Sequence, residues 1–230
     1  MSARPYFQER PTMNVCDQQE ASLQALQVML RFTASLFRRP LTADACAYLA
    51  ALELEEDDYL CQVSSCRQGL TTLSDRCADP EALTQTSVEF HRLFVGPHHV
   101  PCPPWGSIYL DEGRLFGPTS LEVARLYARH GFAIPEGKSE PSDHIAYELS
   151  FLAELLALAE STDDAIAQRD ATAEARQFLD QFVIPWFPLF AESVRTEDRD
   201  GLYRGLVEVT DGLLQLTTEV LEERPASSAN

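Results

Sequence analysis

Apolar residues recur every three or four positions along most of the chain, which is the spacing of one face of an α-helix. The clearest stripe comprises Ile145, Leu149, Leu152, Leu156 and Ala159. Strand-like alternation is weak throughout, and the segment GSIYLDEGRLFG favours at most a short extended turn. The pattern therefore predicts an all-α fold, a single-domain bundle of roughly nine helices.

Prolines, glycines and capping residues predict where the helices begin and end. Pro40 should end the first helix, and Thr42 should cap the second. Ser142 or Asp143 should cap the helix that carries the stripe, and the carboxylate also suits the positive end of a helix. The remaining helices are expected at about 57–77, 80–96, 119–130, 163–182, 185–195 and 200–223.

The polar ends of the chain suggest a simple domain organisation. Residues 1–17 are predicted to be a mobile N-terminal tail, 18–224 an all-helical domain and 225–230 a C-terminal tail. The turn-rich link 133–142 is a candidate point of subdivision. Exchange of a helical half across that link would give a domain-swapped dimer, and a monomer is the alternative.

The chain is strongly acidic, with 36 Asp and Glu against 18 Lys and Arg and a formal net charge of −18. Such a charge repels phosphate backbones, so nucleic acid is not expected as a partner. It attracts basic ligands, and salt should weaken that attraction. The alternative is that the charge serves solubility alone.

The cysteines and apolar runs indicate a cytoplasmic protein. The six cysteines form no CxxC pair, and the N-terminus lacks the apolar core of a secretory signal. The longest apolar run, FVIPWFPLFA, is short and is interrupted by two prolines, so no stable membrane insertion is expected. We therefore expect reduced thiols in the cytoplasm.

The segment RLFVGPHHVPCPPWGSIYLDEG, residues 92–113, interrupts the helical pattern with prolines, histidines, a thiol and aromatic rings. It has three interpretations: a metal site, a structural plug, or a surface that grips another chain. A metal is disfavoured because His98 and His99 are adjacent and would point different ways. Cys102 also has no second ligand pair at a recognised spacing.

The sequence contains no motif that argues for catalysis. It carries no GxSxG, HExxH, P-loop or GxGxxG pattern. Asp143 and His144 are adjacent and do not share one helix face, and His144 is expected to pair with Glu148 on a helix surface. We predict no catalytic residue, no metal ligand and no cofactor.

A binding surface is the third interpretation of the segment. Phe90, Phe94, Trp105 and Tyr109 cluster around a loop stiffened by prolines, and aromatic rings with a polar handle are typical anchors for another chain. The alternative is that these rings fill the core beneath the loop. For Phe90 and Phe94 that alternative is favoured, whereas Trp105 lies beside two prolines in a polar loop.

Two motifs resemble a known family. EFHRLFVGPHHVPCPPWGSIYLDEGRLFG, followed by EPSDHIAYELSFLAELL, is similar to the TorD/DmsD/NarJ redox enzyme maturation chaperones of bacteria and archaea. The loop resembles the DmsD branch most, and IPWFPLF at residues 184–190 resembles a later segment of the family. The resemblance covers roughly residues 20–220.

The resemblance implies a TorD/DmsD-like helical fold and no reaction of its own. It implies binding of the twin-arginine leader and catalytic subunit of a molybdenum-cofactor oxidoreductase, which is held in the cytoplasm until the cofactor is inserted and export follows. His98 stands where close relatives carry a large aromatic residue. With Tyr109 added from the aromatic cluster, the expected leader-peptide residues are Phe90, Phe94, His98, Pro104, Trp105, Tyr109, Asp143 and His144.

Two other functions stay open at this point. One is a chaperone that delivers cofactor or assists the mature fold without reading a leader. The other is a metal- or nucleotide-dependent enzyme, although no phosphate-cradling loop is visible. The client could resemble dimethyl sulfoxide reductase, trimethylamine oxide reductase or formate dehydrogenase.

Overall fold

The computed structural model describes residues 15–52, 58–97, 99–134, 140–162 and 164–223, without the side chains of residues 15–20 and 223. Across these ranges it contains ten α-helices and no β-strand, which confirms the predicted all-α fold. None of the described helices combines the length and the apolar character that crossing a bilayer requires. Residues 1–14 of the predicted N-terminal tail, the whole predicted C-terminal tail and residues 135–139 of the link lie outside the described residues.

The helices follow one another with short connections. They are α1 Val15–Arg38, α2 Ala43–Ala51, α3 Ser64–Cys77, α4 Ala82–Phe90, α5 Gly106–Leu110, α6 Pro118–Arg129, α7 Ile145–Ser161, α8 Ala165–Phe178, α9 Phe187–Glu197 and α10 Leu202–Glu223. A 3-10 helix occupies Tyr59–Cys61, and π-helical turns occupy His91–Val95 and Leu179–Val183. The predicted tail 1–17 overlaps α1, because α1 begins at Val15.

Local signals set several of these boundaries as predicted. α1 ends before Pro40, and the side chain of Thr42 caps α2 by accepting a hydrogen bond from the backbone N–H of Ala45 at 3.2 Å. The helix predicted at 57–77 is divided, since Val63 is extended between the 3-10 helix and α3. The segment expected to form an extended turn instead contains the five-residue helix α5.

The core is built around α7, which is buried on nearly all sides. It packs against α1 and α8, while α10 packs against α3, α1 and α9. All five residues of the predicted apolar stripe on α7 are buried, as expected. α3 and α10 approach so closely that a Cβ on Gly69 would lie 2.6 Å from the backbone nitrogen of Val209, so only glycine fits there.

Candidate functional site

The loop between α4 and α5 is hydrogen-bonded to the π-helical turn His91–Val95 that precedes it. The backbone N–H of Cys102 donates to the carbonyl of Leu93 at 3.0 Å, and the Cys102 side chain is fully buried. Burial raises the pKa of Cys102 to about 12, so its sulfur is a protonated thiol rather than a ligating thiolate. This thiol fills the core beneath the loop.

The metal interpretation gains no support from the part of the chain that the structure describes. His99 is exposed, and His98 lies outside the described residues. Among those residues no group of three or more His, Cys, Asp or Glu side chains is arranged to hold a metal ion.

The loop and the start of α7 form a two-residue antiparallel bridge between Trp105 and His144. The backbone N–H of Gly106 donates to the carbonyl of Asp143 at 2.9 Å, and that of Ile145 donates to the carbonyl of Pro104 at 2.9 Å. The two motifs that are separated in sequence therefore meet in one place.

Asp143 fixes this junction with its side chain. Its carboxylate is fully buried and accepts a hydrogen bond from the backbone N–H of Ser107, in the first turn of α5. The prediction that Ser142 or Asp143 caps α7 is wrong, because Nδ1 of His144 accepts the N–H of Ala146 at 3.0 Å instead. Asp143 thus holds the loop, and His144 holds the helix.

His144 is buried and its orientation follows from these contacts. Because Nδ1 accepts a hydrogen bond, the neutral ring carries its proton on Nε2, which lies 3.8 Å from the carboxylate of Glu140. The ring of Trp105 meets the ring of His144 edge to face, with centroids 5.9 Å apart. His144 therefore supports both α7 and the indole of Trp105.

The predicted aromatic residues divide into two groups. Phe90 and Phe94 are buried and pack with Tyr203, whose ring centroid lies 5.0 Å from that of Phe94, so they form part of the core. Pro104 is buried as well, whereas Trp105 and Tyr109 are half-buried. Of the predicted residues named here, only Trp105 and Tyr109 therefore present substantial surface.

Trp186 is the residue of this site that the sequence reasoning did not single out. It is fully buried, its ring stacks on Tyr109 at 5.5 Å, and its indole N–H donates to the carbonyl of Phe182 at 2.7 Å and to Glu148 at 3.1 Å. Gly106 makes room for it, since a Cβ there would lie 2.8 Å from Nε1 of Trp186. The segment IPWFPLF was the signal that could have identified it.

Glu148 is fully buried, so its expected place on a helix surface with His144 is wrong. It lies on the apolar face of α7, three positions after Ile145. Burial raises the pKa of Glu148 well above its ordinary value, and the nearby Asp143 raises it further, while the Trp186 N–H acts in the opposite direction. The folded protein therefore favours the protonated acid.

Replacing Glu148 with glutamine should raise the melting temperature at neutral pH and flatten its pH dependence. Because the folded-state pKa is raised, the stability contributed by this group is complete below the ordinary value of 4.5 and is lost as pH rises through the folded-state pKa. Thermal unfolding between pH 4 and 8 measures this. Glu122→Gln, an exposed change on α6, is the control, and identical pH profiles for Glu148→Gln and wild type would contradict the assignment.

Residues 104–117, called the loop segment from here on, comprise the end of the loop, α5 and the turn that follows, and hydrogen bonds fix them while they expose apolar side chains. Both carboxylate oxygens of Asp111 accept hydrogen bonds from Thr119, at 2.9 Å each, and Gly117 packs against that carboxylate. Phe116 has a φ of 60° and is 48% exposed. A bulky residue in left-handed backbone conformation is held there by its surroundings at a cost in free energy.

The segment from residue 61 to 192 matches the family described as nitrate reductase delta subunit. The chaperone protein TorD of Vibrio cholerae (strain O395) is 27% identical over 182 residues, which cover 79% of this chain and 81% of TorD. TorD of Photobacterium profundum is 29% identical over 161 residues, 69% of this chain and 73% of its own. A proposed redox enzyme maturation protein from Archaeoglobus fulgidus aligns structurally with a TM-score of 0.48 at 22% identity, covering 91% of this chain and 98% of that one.

The family match spans more than half of the chain, and it includes the loop segment, the Asp143–His144 junction and Trp186. These are the parts of the molecule that the hydrogen bonds described above join into one unit. The chain therefore belongs to the nitrate reductase delta subunit family, together with the TorD-type redox enzyme maturation chaperones, and is not an enzyme.

Proposed function

We propose that this protein is a cytoplasmic chaperone that binds the twin-arginine leader of a molybdenum-cofactor oxidoreductase. It holds the catalytic subunit while the cofactor is inserted, before export through the twin-arginine pathway. The observation that supports this most is the braced loop segment 104–117, which keeps apolar side chains at the surface of an acidic protein. The TorD relatives, named as chaperones, support the same class of function.

The loop segment offers a surface that suits an apolar peptide. Its half-buried or exposed apolar side chains are Trp105, Ile108, Tyr109, Leu110, Leu115 and Phe116. Since the bridge to α7 and the Asp111 contacts already order this loop, a peptide that docks there loses little of its binding free energy to loop ordering. Burying a few such side chains at about 25 cal/mol per Å² is enough for roughly micromolar binding.

The indole N–H of Trp105 is a second feature that favours peptide binding. It is buried and has no hydrogen-bond partner among the described residues. A buried donor without an acceptor is costly, so a shift of the Trp105 ring that brings this N–H to a backbone carbonyl of a bound peptide is favoured. We therefore assign Trp105 a direct contact with the leader, with His144 as the residue that positions its ring.

The net charge of −18 supplies the other half of leader recognition. Two adjacent arginines followed by an apolar stretch match an acidic surface that carries an apolar patch. Binding should therefore weaken as salt is raised, without disappearing, because the apolar contacts are insensitive to screening. Membership of the DmsD-like branch is part of this proposal.

The experiment uses a synthetic peptide with two adjacent arginines followed by an apolar stretch, titrated into wild type and variants by calorimetry. Trp105→Ala and Phe116→Ser should each weaken binding about tenfold, which corresponds to about 1.4 kcal/mol. The matched control is Ile166→Ser, an equally apolar and more exposed residue on α8. Unchanged peptide affinity in both loop variants, or an equal loss of affinity in the control, would show that the loop segment does not bind the leader.

A second candidate is a chaperone of the mature fold or of cofactor delivery. A groove of about 360 Å³ between α6 and α8 favours it, because Leu126, Phe151, Phe178 and Phe182 contribute to its lining, as a docked helix requires. Pull-down of a leader-deleted client compared with the full client separates the two functions. Retention of the leader-deleted client at full strength would favour this second candidate.

A further inference from the structure

Two cysteines that are distant in sequence lie side by side where α2 packs against α3. Cys46 belongs to α2, and Cys77 is the last residue of α3. The two helices contact each other, and both cysteine side chains lie against the core. The two thiol groups are close enough to hydrogen-bond to each other, and both cysteines are free. The fold therefore brings together two thiols that could be joined in a disulfide.

Exposure distinguishes this pair from the other described cysteines. Cys46 and Cys77 are half-buried, whereas Cys61, Cys66 and Cys102 are buried. Burial, with a smaller contribution from the nearby Cys61, raises the pKa of Cys66 to about 12. Oxidation of a thiol needs both a thiolate and access for the oxidant. Among the described cysteines, a small oxidant in solution therefore reaches Cys46 and Cys77 most readily.

The two thiols of the pair differ in how easily they lose a proton. Burial and the neighbouring Cys46 raise the pKa of Cys77 to about 12, although Arg76 acts in the opposite direction. Cys77 therefore keeps its proton and offers it to the sulfur of Cys46, so that Cys46 carries the negative charge when the pair ionises. A thiolate beside a protonated thiol is the arrangement of an attacking and a resolving cysteine.

The end of α3 is also a suitable place for a new covalent bond. A disulfide needs its two Cβ atoms about 4 Å apart and in a defined relative orientation. Because Cys77 ends α3 and a turn follows it, this residue adjusts its backbone more easily than one inside a helix. The simpler interpretation is that the two cysteines only fill the contact between the helices. It predicts that an oxidant modifies each thiol separately and does not link them.

We propose that Cys46 and Cys77 form a reversible redox site, in which hydrogen peroxide oxidises the two thiols to one disulfide. The Cys46 thiolate attacks a peroxide oxygen, the O–O bond breaks, and the other oxygen leaves as water while Cys46 becomes a sulfenic acid. The sulfur of Cys77 then attacks the sulfur of Cys46, the S–O bond breaks, and a second water leaves. The thiols lose two electrons and two protons, which the peroxide takes up. An added small thiol reverses the reaction by exchange.

The disulfide would join α2 to the end of α3 and close the loop formed by residues 47–76. Such a link stabilises a protein mainly by restricting its unfolded chain. The oxidised protein should therefore melt roughly 6–12 °C above the reduced protein. No residue of the loop segment takes part in the reaction, so the redox site is independent of leader binding.

The test treats the reduced full chain with hydrogen peroxide, blocks the remaining thiols by alkylation and identifies the linked peptides by mass spectrometry. Digestion combines trypsin with a glutamate-specific protease, because Glu53 lies between Cys46 and the pair Cys61 and Cys66. The main cross-link should join the peptide of Cys46 to that of Cys77. Dithiothreitol should remove both the link and the gain in melting temperature.

Single variants assign the two roles. Cys46→Ser and Cys77→Ser should each abolish the link and the gain in melting temperature, and only Cys77→Ser should accumulate a sulfenic acid that dimedone traps. Cys16→Ser is the control and should behave as wild type. Melting temperatures of the reduced variants show that each is folded. Absence of the link in wild type, its loss in Cys16→Ser, or an equal yield of a link between Cys61 and Cys66 would overturn the proposal.

Discussion

Replacing Trp186 with alanine should lower the free energy of unfolding by about 4 kcal/mol, the usual cost of removing a large buried ring. Trp186 is fully buried, stacks on Tyr109, and fills the space that Gly106 leaves open. Its removal also leaves Glu148 without its indole donor. For a chain of this size the melting temperature should fall by roughly 8–16 °C.

Thermal and urea unfolding measure this loss, and a second variant divides it into two parts. Trp186→Phe retains most of the ring but removes the N–H, so it should cost less than alanine. Leu189→Ala, an exposed change on α9 three residues further on, should have little effect. Equal stability of the alanine variant and wild type would mean that α9 and the loop segment are not held together by this ring.

Replacing Asp143 with alanine should lower the free energy of unfolding by about 3 kcal/mol, or roughly 6–12 °C in melting temperature. The change leaves the N–H of Ser107 buried without an acceptor and removes the side-chain link between α5 and the start of α7. The buried position of the carboxylate indicates a structural role rather than a direct pairing with a leader arginine.

The matched variant for this position is Asp143→Asn, which keeps an acceptor oxygen for Ser107 and should retain most of the stability. Leader affinity is measured on all three proteins well below their melting temperatures. A lost affinity with unchanged melting temperature in Asp143→Ala would contradict the structural role, because it would mean that the carboxylate contacts the leader itself.

The helical architecture could be predicted from the sequence because its signals are local. Pro40 ends α1, Thr42 caps α2, and the apolar stripe on α7 is buried as its spacing predicts. These features depend on residues within a few positions of one another, so no knowledge of the tertiary structure is needed. The division at Val63 is local as well, but no proline or glycine marks it.

The side-chain roles at the junction could not be predicted because each depends on a distant partner. Asp143 looked like a helix cap, yet its acceptor oxygen is taken by Ser107 of another helix. Glu148 looked like a surface acid, yet Trp186, the residue just before α9, meets it in the core. In both cases a tertiary hydrogen bond replaced the local one that sequence spacing favours.

The burial of the aromatic residues could be predicted from the sequence only in part. The two neighbouring prolines distinguish Trp105 from Phe90 and Phe94 in the sequence, whereas Tyr109 carries no such mark; in the structure Phe90 and Phe94 are buried, and Trp105 and Tyr109 are half-buried. Phe116 gave no sequence signal, because its exposure and left-handed backbone arise from the way Asp111 and Thr119 fold the loop.

The bridge between Trp105 and His144 couples the loop segment mechanically to the centre of the bundle. Because its two backbone hydrogen bonds involve Asp143, just before α7, and Ile145, the first residue of α7, any displacement of the loop pulls on the helix at the centre of the bundle. A cargo seated at the rim would thereby alter the innermost part of the molecule, and loaded and empty forms would differ in the rigidity of their interior as well as in their outer surface.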